Sequence, residues 1–161
     1  MNKQVKRQAC RALLLNNKDE LLLIEIQEPG TEYRFWITPG GGRKDDESAE
    51  SALRRELSEE LHLDEFEMGP HVWNRRHIFT WEDNHYDQRE AYYLIKVEDF
   101  NPGGFSRLEE IEKRCFLSFR WWPLEEIVRA REETFVPVDI GQRVLTLLKD
   151  GVPSEPYEVG L

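Results

Sequence analysis

In the segment GGRKDDESAESALRRELSEELHL, residues 41–63, a run of glycines leads into a series of helix-forming residues. Residues 47–61 are rich in alanine, leucine, glutamate and arginine and contain neither glycine nor proline, which favours an α-helix. Apolar side chains recur in this helix at every fourth residue: Ala49, Leu53, Leu57 and Leu61. This spacing predicts a helix that packs one face against a core.

The acidic residues of the predicted helix are concentrated beside its apolar face. Glu56, Glu59 and Glu60 stand at positions i, i+3 and i+4, so they share an arc of about 100°. Like charges crowded at the edge of a buried face are unfavourable unless a cation neutralises them. Magnesium suits such a site because it takes hard oxygen ligands and retains waters and substrate phosphates. A solvated helix face is the common explanation of an acidic run, but this spacing favours a metal site.

The whole stretch resembles the Nudix box, G-x5-E-x7-R-E-U-x-E-E-x-G-U with U aliphatic. Gly41 and Glu47 occupy its first two fixed positions, and the segments 55–57 and 59–61 follow at the required spacing. The one departure is His62, which stands where the box has glycine. A glycine after a helix takes the left-handed conformation as a C-terminal cap, so we expect His62 to adopt it at a cost of about 1 kcal/mol.

The resemblance implies an α/β fold, a Nudix-like α/β/α sandwich with a mixed β-sheet flanked by helices. It also implies a hydrolase that cleaves the diphosphate of a nucleoside triphosphate or of a nucleoside diphosphate linked to another group X. By carry-over from the box, Glu56 and Glu60 are the implied direct ligands of Mg²⁺, with Mn²⁺ as a substitute. Glu59 is implied as a third ligand or as the group that orients water, and the carbonyl of Gly41 as a further ligand.

The same carry-over assigns supporting and catalytic roles to other box residues. Arg55 is implied to orient Glu59, and Glu47 to stabilise the loop–helix–loop. The reaction implied is an in-line substitution at phosphorus, in which divalent ions screen the diphosphate and lower the pKa of the attacking water. Glu59, Glu56 and Arg55 are therefore our candidate catalytic residues within the box.

Many members of the family use a further acid from a loop beyond the box. Here the acidic loop offers Glu109, Glu110 and Glu112, and Glu90 is another candidate at the start of a strand. The sequence does not choose among them, and we take Glu110 as the candidate for this role.

Three side chains are candidates for substrate contacts. Trp36 belongs to the aromatic run 33–36, which is suited to stack a nucleobase, although aromatic residues in strands are more often core residues. Arg76 lies in the basic cluster 75–77, which is suited to a terminal phosphate or to X, although charge balance at the surface is the commoner role. Arg43 adjoins the glycines and is also suited to meet phosphate.

The rest of the chain alternates predicted strands with helices. The predicted strands are 8–15, 20–27, 34–38, 66–81, 87–98 and 115–122, the first two joined as a hairpin, and further helices are predicted over 124–131 and 138–149. This pattern predicts one domain, residues 1–161, with a mixed sheet covered by helices on both faces. Its core is expected over about residues 8–150, with the tail 151–161 as a surface strap.

Composition limits the partners and the location. The chain has 161 residues, with 22 lysines and arginines against 32 acids, and a net charge of −10. Long nucleic acids and anionic membranes attract basic surfaces, so we expect a small-molecule nucleotide substrate and neither of these partners. No apolar run approaches the roughly 18 residues of a membrane helix, and the N-terminus has no secretory apolar region. Cys10 and Cys115 lack a C-x-x-C spacing, which predicts reduced, buried thiols and a cytoplasmic protein.

Two other functions compete with the hydrolase. A regulatory module that binds a nucleotide without cleaving it would have the same fold, but such modules often lose box glutamates, and none is missing here. An isomerase of prenyl diphosphates would need a catalytic cysteine in a suitable context, which neither Cys10 nor Cys115 has. The oligomeric state is open, and a homodimer is compatible with the resemblance because members of the family are often dimers.

Overall fold

A computed structural model of the chain describes residues 4–104 and 106–160. Within these residues, nine strands and four helices are present. The strands are β1 (Gln4–Leu15), β2 (Glu20–Gln27), β3 (Arg34–Ile37), β4 (Gly40–Gly42), β5 (His71–Trp81), β6 (Asn84–Lys96), β7 (Phe116–Pro123), β8 (Phe135–Val136) and β9 (Tyr157–Val159). The helices are α1 (Ala49–Leu61), α2 (Glu110–Cys115), α3 (Leu124–Arg129) and α4 (Ile140–Asp150). In this part of the chain, no helix is both long and apolar enough to cross a membrane.

The long strand β1 organises a mixed sheet. It pairs in parallel with β6 along its whole length, from Gln4 opposite His85 to Leu15 opposite Lys96. Its other edge pairs antiparallel with the short strand β4, where Cys10 lies opposite Gly41. The order of strands across the sheet is β8-β3-β2-β1-β6-β5-β9, with β7 paired to β2. This pairing brings the glycine run against the centre of the sheet.

The apolar runs of β1 and β2 are buried on both faces of the sheet. Leu13 and Leu15 face the side covered by α3 and α4, whereas Ala12 and Leu14 face the side covered by α1. Because side chains alternate along a strand, a continuous apolar run fills two cores at once. Each fully buried leucine contributes about 1.5–3 kcal/mol relative to exposure. The predicted sheet with helices on both faces is confirmed.

Helix α1 begins and ends with local capping groups. The Ser48 side chain accepts a hydrogen bond from the backbone N–H of Ser51 at 3.1 Å. At the other end, His62 has φ 57° and ψ 27°. Its N–H donates to the Ser58 carbonyl at 3.0 Å, and the N–H of Leu63 donates to the Leu57 carbonyl at 3.2 Å. The expected left-handed cap at His62 is therefore confirmed.

Several elements differ from the sequence predictions. The tail adds a strand, because Tyr157–Val159 pairs in parallel with β5, and the acidic loop contains the short helix α2. Cys115 ends this helix rather than starting β7. The predicted hairpin is reduced to a single register pair, Leu15 opposite Leu21, because β2 pairs mainly with β3 and β7. The added strand and the reduced hairpin both result from pairing between segments that are distant in the chain.

Gly40 tests how tightly β4 is held against β1. Its φ is +133°, and a Cβ there would overlap the Cys10 carbonyl oxygen and lie 2.9 Å from the Cα of Arg11. We expect Gly40→Ala to lower the free energy of unfolding by about 3 kcal/mol, since strain and overlap add. The measurement is urea denaturation.

Gly30→Ala is the matched control for this substitution. Gly30 also has a positive φ, +77°, but no atom lies within 4 Å of a Cβ built there. We expect this control to lose only about 1 kcal/mol. Equal losses in the two variants would show that conformational strain alone, and not the contact with β1, sets the requirement at Gly40.

Candidate active site

Two carboxylates of α1 lie buried against the backbone of the glycine run. Glu60 is 1% exposed, and its Oε1 accepts a hydrogen bond from the N–H of Gly40 at 2.9 Å. Glu56 is 8% exposed, and a Cβ on Gly41 would lie 2.7 Å from its carboxyl carbon. Glycine at position 41 therefore lets the Glu56 carboxylate reach the main chain.

Burial and mutual repulsion make both carboxylates reluctant to ionise. Burial, followed by the charge of Glu56, holds the pKa of Glu60 well above its usual range, despite the nearby Arg11. Burial also raises the pKa of Glu56, and the Glu59 charge adds to this effect, although Arg55 opposes it. Paired carboxylates of this kind are stabilised by a cation. The surroundings of these two groups thus favour bound positive charge.

Arg55 connects α1 to the loop that precedes it. Its guanidinium donates two hydrogen bonds of 2.9 Å to Glu47, one of 3.0 Å to Glu56 and one of 3.0 Å to the Gly42 carbonyl. It also lies 3.6 Å from a carboxylate oxygen of Glu59. The hydrogen bond from Arg55 lowers the pKa of Glu47 to about 2. The geometry allows Arg55 to steer Glu59, and that role stays a prediction.

The acidic loop brings Glu112, and not Glu110, towards these carboxylates. Glu112 lines the same cleft as Glu56 and Glu60, and burial and the Glu56 charge raise its pKa. The Glu110 side chain is 90% exposed and lies 3.6 Å from Lys113. Side chains two residues apart in a helix point in different directions. Glu112 therefore faces the cleft, whereas Glu110 faces the solvent. The structure therefore places Glu112 in the cleft and Glu110, our candidate, at the surface.

The donor set fits magnesium in its chemistry. Glu56, Glu59, Glu60 and Glu112 supply hard oxygen donors, and the glycine run adds main-chain carbonyls. Among residues 4–104 and 106–160, no three carboxylate, imidazole or thiol groups are already gathered as a metal cage. Glu56 accepts a hydrogen bond from Arg55, and Glu60 accepts one from Gly40.

The carboxylates open into a cleft of about 500 Å³ with aromatic walls. On one wall, the rings of His77 and Phe79 stack at 4.7 Å and those of Phe79 and Tyr86 at 5.0 Å. Tyr33 and Phe35 lie together at 5.5 Å and line the cleft as well. Burial lowers the pKa of His77, so its ring is neutral at pH 7 and acts as a flat surface more than as a cation. Such walls suit a planar aromatic group.

Glu90 is the centre of a buried network and not a free acid. Its carboxylate accepts hydrogen bonds from Arg75 at 2.6 Å, Arg11 and Gln88 at 3.0 Å, and Tyr92 at 3.2 Å. Burial raises its pKa, but the charges of the two arginines outweigh this and lower it overall. Both oxygens are thus occupied by the protein.

The three candidate substrate contacts lie outside this cleft. Trp36 is buried, packs edge-on against Trp122 at 5.3 Å and donates from Nε1 to Glu133 at 2.9 Å. Arg76 forms two hydrogen bonds of 2.9 Å with Asp87. Arg43 donates to the Glu47 carbonyl at 2.5 Å.

The reasons for these placements differ. Trp36 belongs to the core, whereas Arg43 and Arg76 line a neighbouring surface groove. Sequence reasoning did not identify the cleft residues Arg7, Tyr86 and Gln88, because only the parallel pairing of β1 with β6 brings these strands together.

The end of α1 is also attached to the loop before α2. The ring of His62 lies against Gly103, where a Cβ would overlap Nδ1, and its Nε2 lies 3.3 Å from the Ser106 hydroxyl. The N–H of Gly103 donates to the Leu61 carbonyl at 3.3 Å. The residue that departs from the box therefore adds side-chain contacts to the cap.

Replacement of Glu90 tests the buried network. We expect Glu90→Gln to lower the free energy of unfolding by about 3–5 kcal/mol, because Arg11 and Arg75 keep their charges without a counterion. The measurement is urea denaturation at pH 7. Glu125→Gln, which breaks an exposed pair with Arg129, is the control and should change stability by less than about 0.5 kcal/mol.

The contribution of Glu90 to stability depends on pH, and the direction of its pKa shift predicts how. Since the pKa of Glu90 is lowered in the folded state, its stabilising contribution is present above the unfolded value of about 4.3 and is lost as the pH falls through the folded value. The difference between wild type and Glu90→Gln should thus be largest near neutrality and shrink below about pH 4. A difference that grew on acidification would contradict a charge-based role.

Comparison with known proteins agrees with this geometry. The family model described as NUDIX domain matches residues 5–140. The RNA pyrophosphohydrolase of Hamiltonella defensa subsp. Acyrthosiphon pisum (strain 5AT) is 27% identical over 113 residues, which cover 62% of this chain and 69% of that protein. The RNA pyrophosphohydrolase of Rhodopseudomonas palustris (strain BisA53) is 25% identical over 137 residues, covering 73% and 74%.

A solved structure shares the fold. The crystal structure of the MutT protein from Methanosarcina mazei Go1 superposes with a TM-score of 0.61 at 20% identity, and the match covers 92% of this chain and 99% of that one. The family match extends over most of the chain, from β1 to the start of α4, and contains the whole glycine run and α1. The chain belongs to the Nudix family of hydrolases, enzymes that cleave phosphoric anhydride bonds.

Proposed function

We propose that the protein is a magnesium-dependent pyrophosphohydrolase. Its substrate is a nucleoside triphosphate or a nucleoside diphosphate linked to another group X. The observation that carries the proposal is the buried pair Glu56 and Glu60 against the Gly40–Gly41 backbone, whose pKa values stay raised although Arg55 and Arg11 are near. The two relatives named RNA pyrophosphohydrolase support the same bond chemistry.

The residues that would hold Mg²⁺, or Mn²⁺ as its substitute, are Glu56, Glu60 and Glu59 with the carbonyl oxygen of Gly41. Bound there, the ion supplies positive charge that screens the diphosphate and lowers the pKa of a coordinated water. Glu56 and Glu60 are the buried members of this set and fix its position relative to the sheet. The backbone of β4 adds rigidity because it is paired with β1.

The remaining groups bind, orient and move protons. The Glu59 side chain is 34% exposed, more than that of Glu56, so it faces solvent and can accept a proton from the attacking water. Arg55 holds Glu59 on this side of the helix. Glu112 approaches from α2 and is a second group able to take or return a proton. The aromatic walls of the cleft hold the nucleobase by stacking.

We also propose that the reaction takes place in the cytoplasm. Both cysteines are buried free thiols, in keeping with a reducing compartment.

The first test is a substrate panel with Glu60→Gln in parallel. Nucleoside triphosphates and nucleoside diphosphate derivatives are incubated with magnesium, with manganese and with chelator, and products are separated by chromatography. We expect metal-dependent cleavage that falls at least about 100-fold in Glu60→Gln, because one buried ligand loses its charge. Glu50→Gln, on the exposed side of the same helix, should retain full activity.

Two outcomes would contradict the proposal. Full activity of Glu60→Gln would rule out the metal-binding role of α1. Saturable nucleotide binding without turnover in either metal would instead favour the regulatory module that binds and does not cleave.

The second test separates Glu112 from Glu110. We expect Glu112→Gln to lower kcat by about 100-fold, in the range for loss of an acid–base group. Glu110→Gln should stay within about twofold, because its carboxylate is exposed and lies outside the cleft. Steady-state kinetics on the best substrate decide the question, and the opposite order would show that α2 turns by a large angle in the working enzyme.

A further inference from the structure

A second groove, beside the cleft, carries positive charge on an acidic protein. Its volume is about 530 Å³, similar to that of the cleft. Six cationic side chains line this basic groove: Lys6, Arg7, Arg43, Lys44, Arg76 and Arg89. Only Asp45 and Asp87 oppose them there, although the whole chain has a net charge of −10. The charge of this surface is therefore opposite in sign to that of the protein.

Most of these cations lack a protein counterion. Arg76 is paired with Asp87, but the other five form no ion pair within 4.0 Å of any group in the described part of the chain. Elsewhere, arginines on the same strands are paired, as Arg11 and Arg75 are with Glu90. Like charges gathered without partners repel one another and favour an external anion.

The basic groove is continuous with the cleft. Arg7 lines both, and a Cβ on Gly42 would lie 2.5 Å from its Nε and Nη2 atoms. Gly41 lines the cleft, and Arg43, two residues further along the chain, lines the groove. Arg43 and Lys44 continue the chain into it. An anion in the basic groove would thus be next to the diphosphate under attack.

The lining of the basic groove selects phosphate groups over bases. No aromatic side chain lines it, whereas the cleft has several. The phosphates of a mononucleotide are bound at α1, and such a substrate would leave the unpaired cations without an anion. A phosphodiester chain carries one negative charge per nucleotide and can follow a row of separated cations.

We propose that the basic groove binds the phosphodiester backbone of a single-stranded RNA whose 5′-polyphosphate lies in the cleft. This inference rests on the proposed pyrophosphohydrolase function and names X as an oligonucleotide. The net charge of the chain led us to expect no nucleic-acid partner. Net charge sums over the whole surface, however, and does not describe one groove. A partner needs only the local field of the groove, and that field is positive.

Direct binding tests the proposal without relying on turnover. The probe is a 5′-triphosphorylated RNA hexamer labelled with fluorescein at its 3′ end, and anisotropy is measured in chelator so that it is not cleaved. The groove variant is Lys6→Gln with Arg89→Gln, two exposed residues that do not line the cleft. The control variant is Lys96→Gln with Lys149→Gln, which removes two exposed cations outside the groove.

We expect the groove variant to weaken hexamer binding about tenfold and the control to leave it unchanged. The slope of log affinity against log salt should fall by about 0.7 for each cation removed. Wild type should bind the hexamer more tightly than a single nucleoside triphosphate. Hydrolysis of that nucleoside triphosphate in magnesium should be equal in wild type and both variants, which shows that the variants fold and keep the catalytic site.

The outcomes separate the two proposals. If wild type in magnesium cleaved neither the nucleoside triphosphate nor the triphosphorylated hexamer, the pyrophosphohydrolase function would be overturned. Equal hexamer affinity in wild type and groove variant, or no dependence on RNA length, would overturn the groove inference alone. A groove variant impaired only towards a dinucleoside tetraphosphate would also overturn it, because the ligand would then be the polyphosphate chain and not the phosphodiester backbone.

Discussion

The buried carboxylate of Glu90 binds two guanidinium groups, and one of them also holds the backbone at Gly40, beside the carboxylates of α1. Arg11 donates to Glu90 and also to the carbonyls of Thr38 and Gly40, at 3.1 and 3.3 Å. Gly40 in turn donates its N–H to Glu60. A single line of hydrogen bonds therefore runs from the centre of the sheet to the acidic face of α1. A buried ion network of this kind stabilises little in total, but it specifies one arrangement of the groups it connects.

The site shows opposing demands of folding and function. Glu56 and Glu60 are buried at the expense of solvation, and their raised pKa values record this. The two apolar cores provide the stability that permits it, since α1 is anchored by Leu53 and Leu57, which are fully buried. The same helix thus packs its leucines into the core and holds two mutually repelling carboxylates at the edge of the same face. Strained or charged sites of this kind are tolerated where the surrounding structure determines them fully.

The sequence predicted the local features and not the pairings between distant segments. The helix follows from short-range periodicity, which is legible in one segment, and the cap at His62 follows from the glycine that the resembled box has at this position. The strand at residues 157–159 and the proximity of Glu112 depend on contacts between segments far apart in the chain. Trp36 was assigned to the substrate on residue type alone, and its place in the core follows from its packing against Trp122.

The His62 ring attaches the C-terminus of α1 to the loop that leads to α2. Its contacts with Gly103 and Ser106, together with those of Arg107 with Ser58 and Asp64, attach the start of the following loop to the C-terminus of α1. Only four residues separate Arg107 from Glu112, which limits how far Glu112 can move away from α1. The attachment thereby keeps Glu112 in the same cleft as Glu56 and Glu60. A glycine at position 62 would preserve the left-handed turn but would remove the contacts of the ring with Gly103 and Ser106.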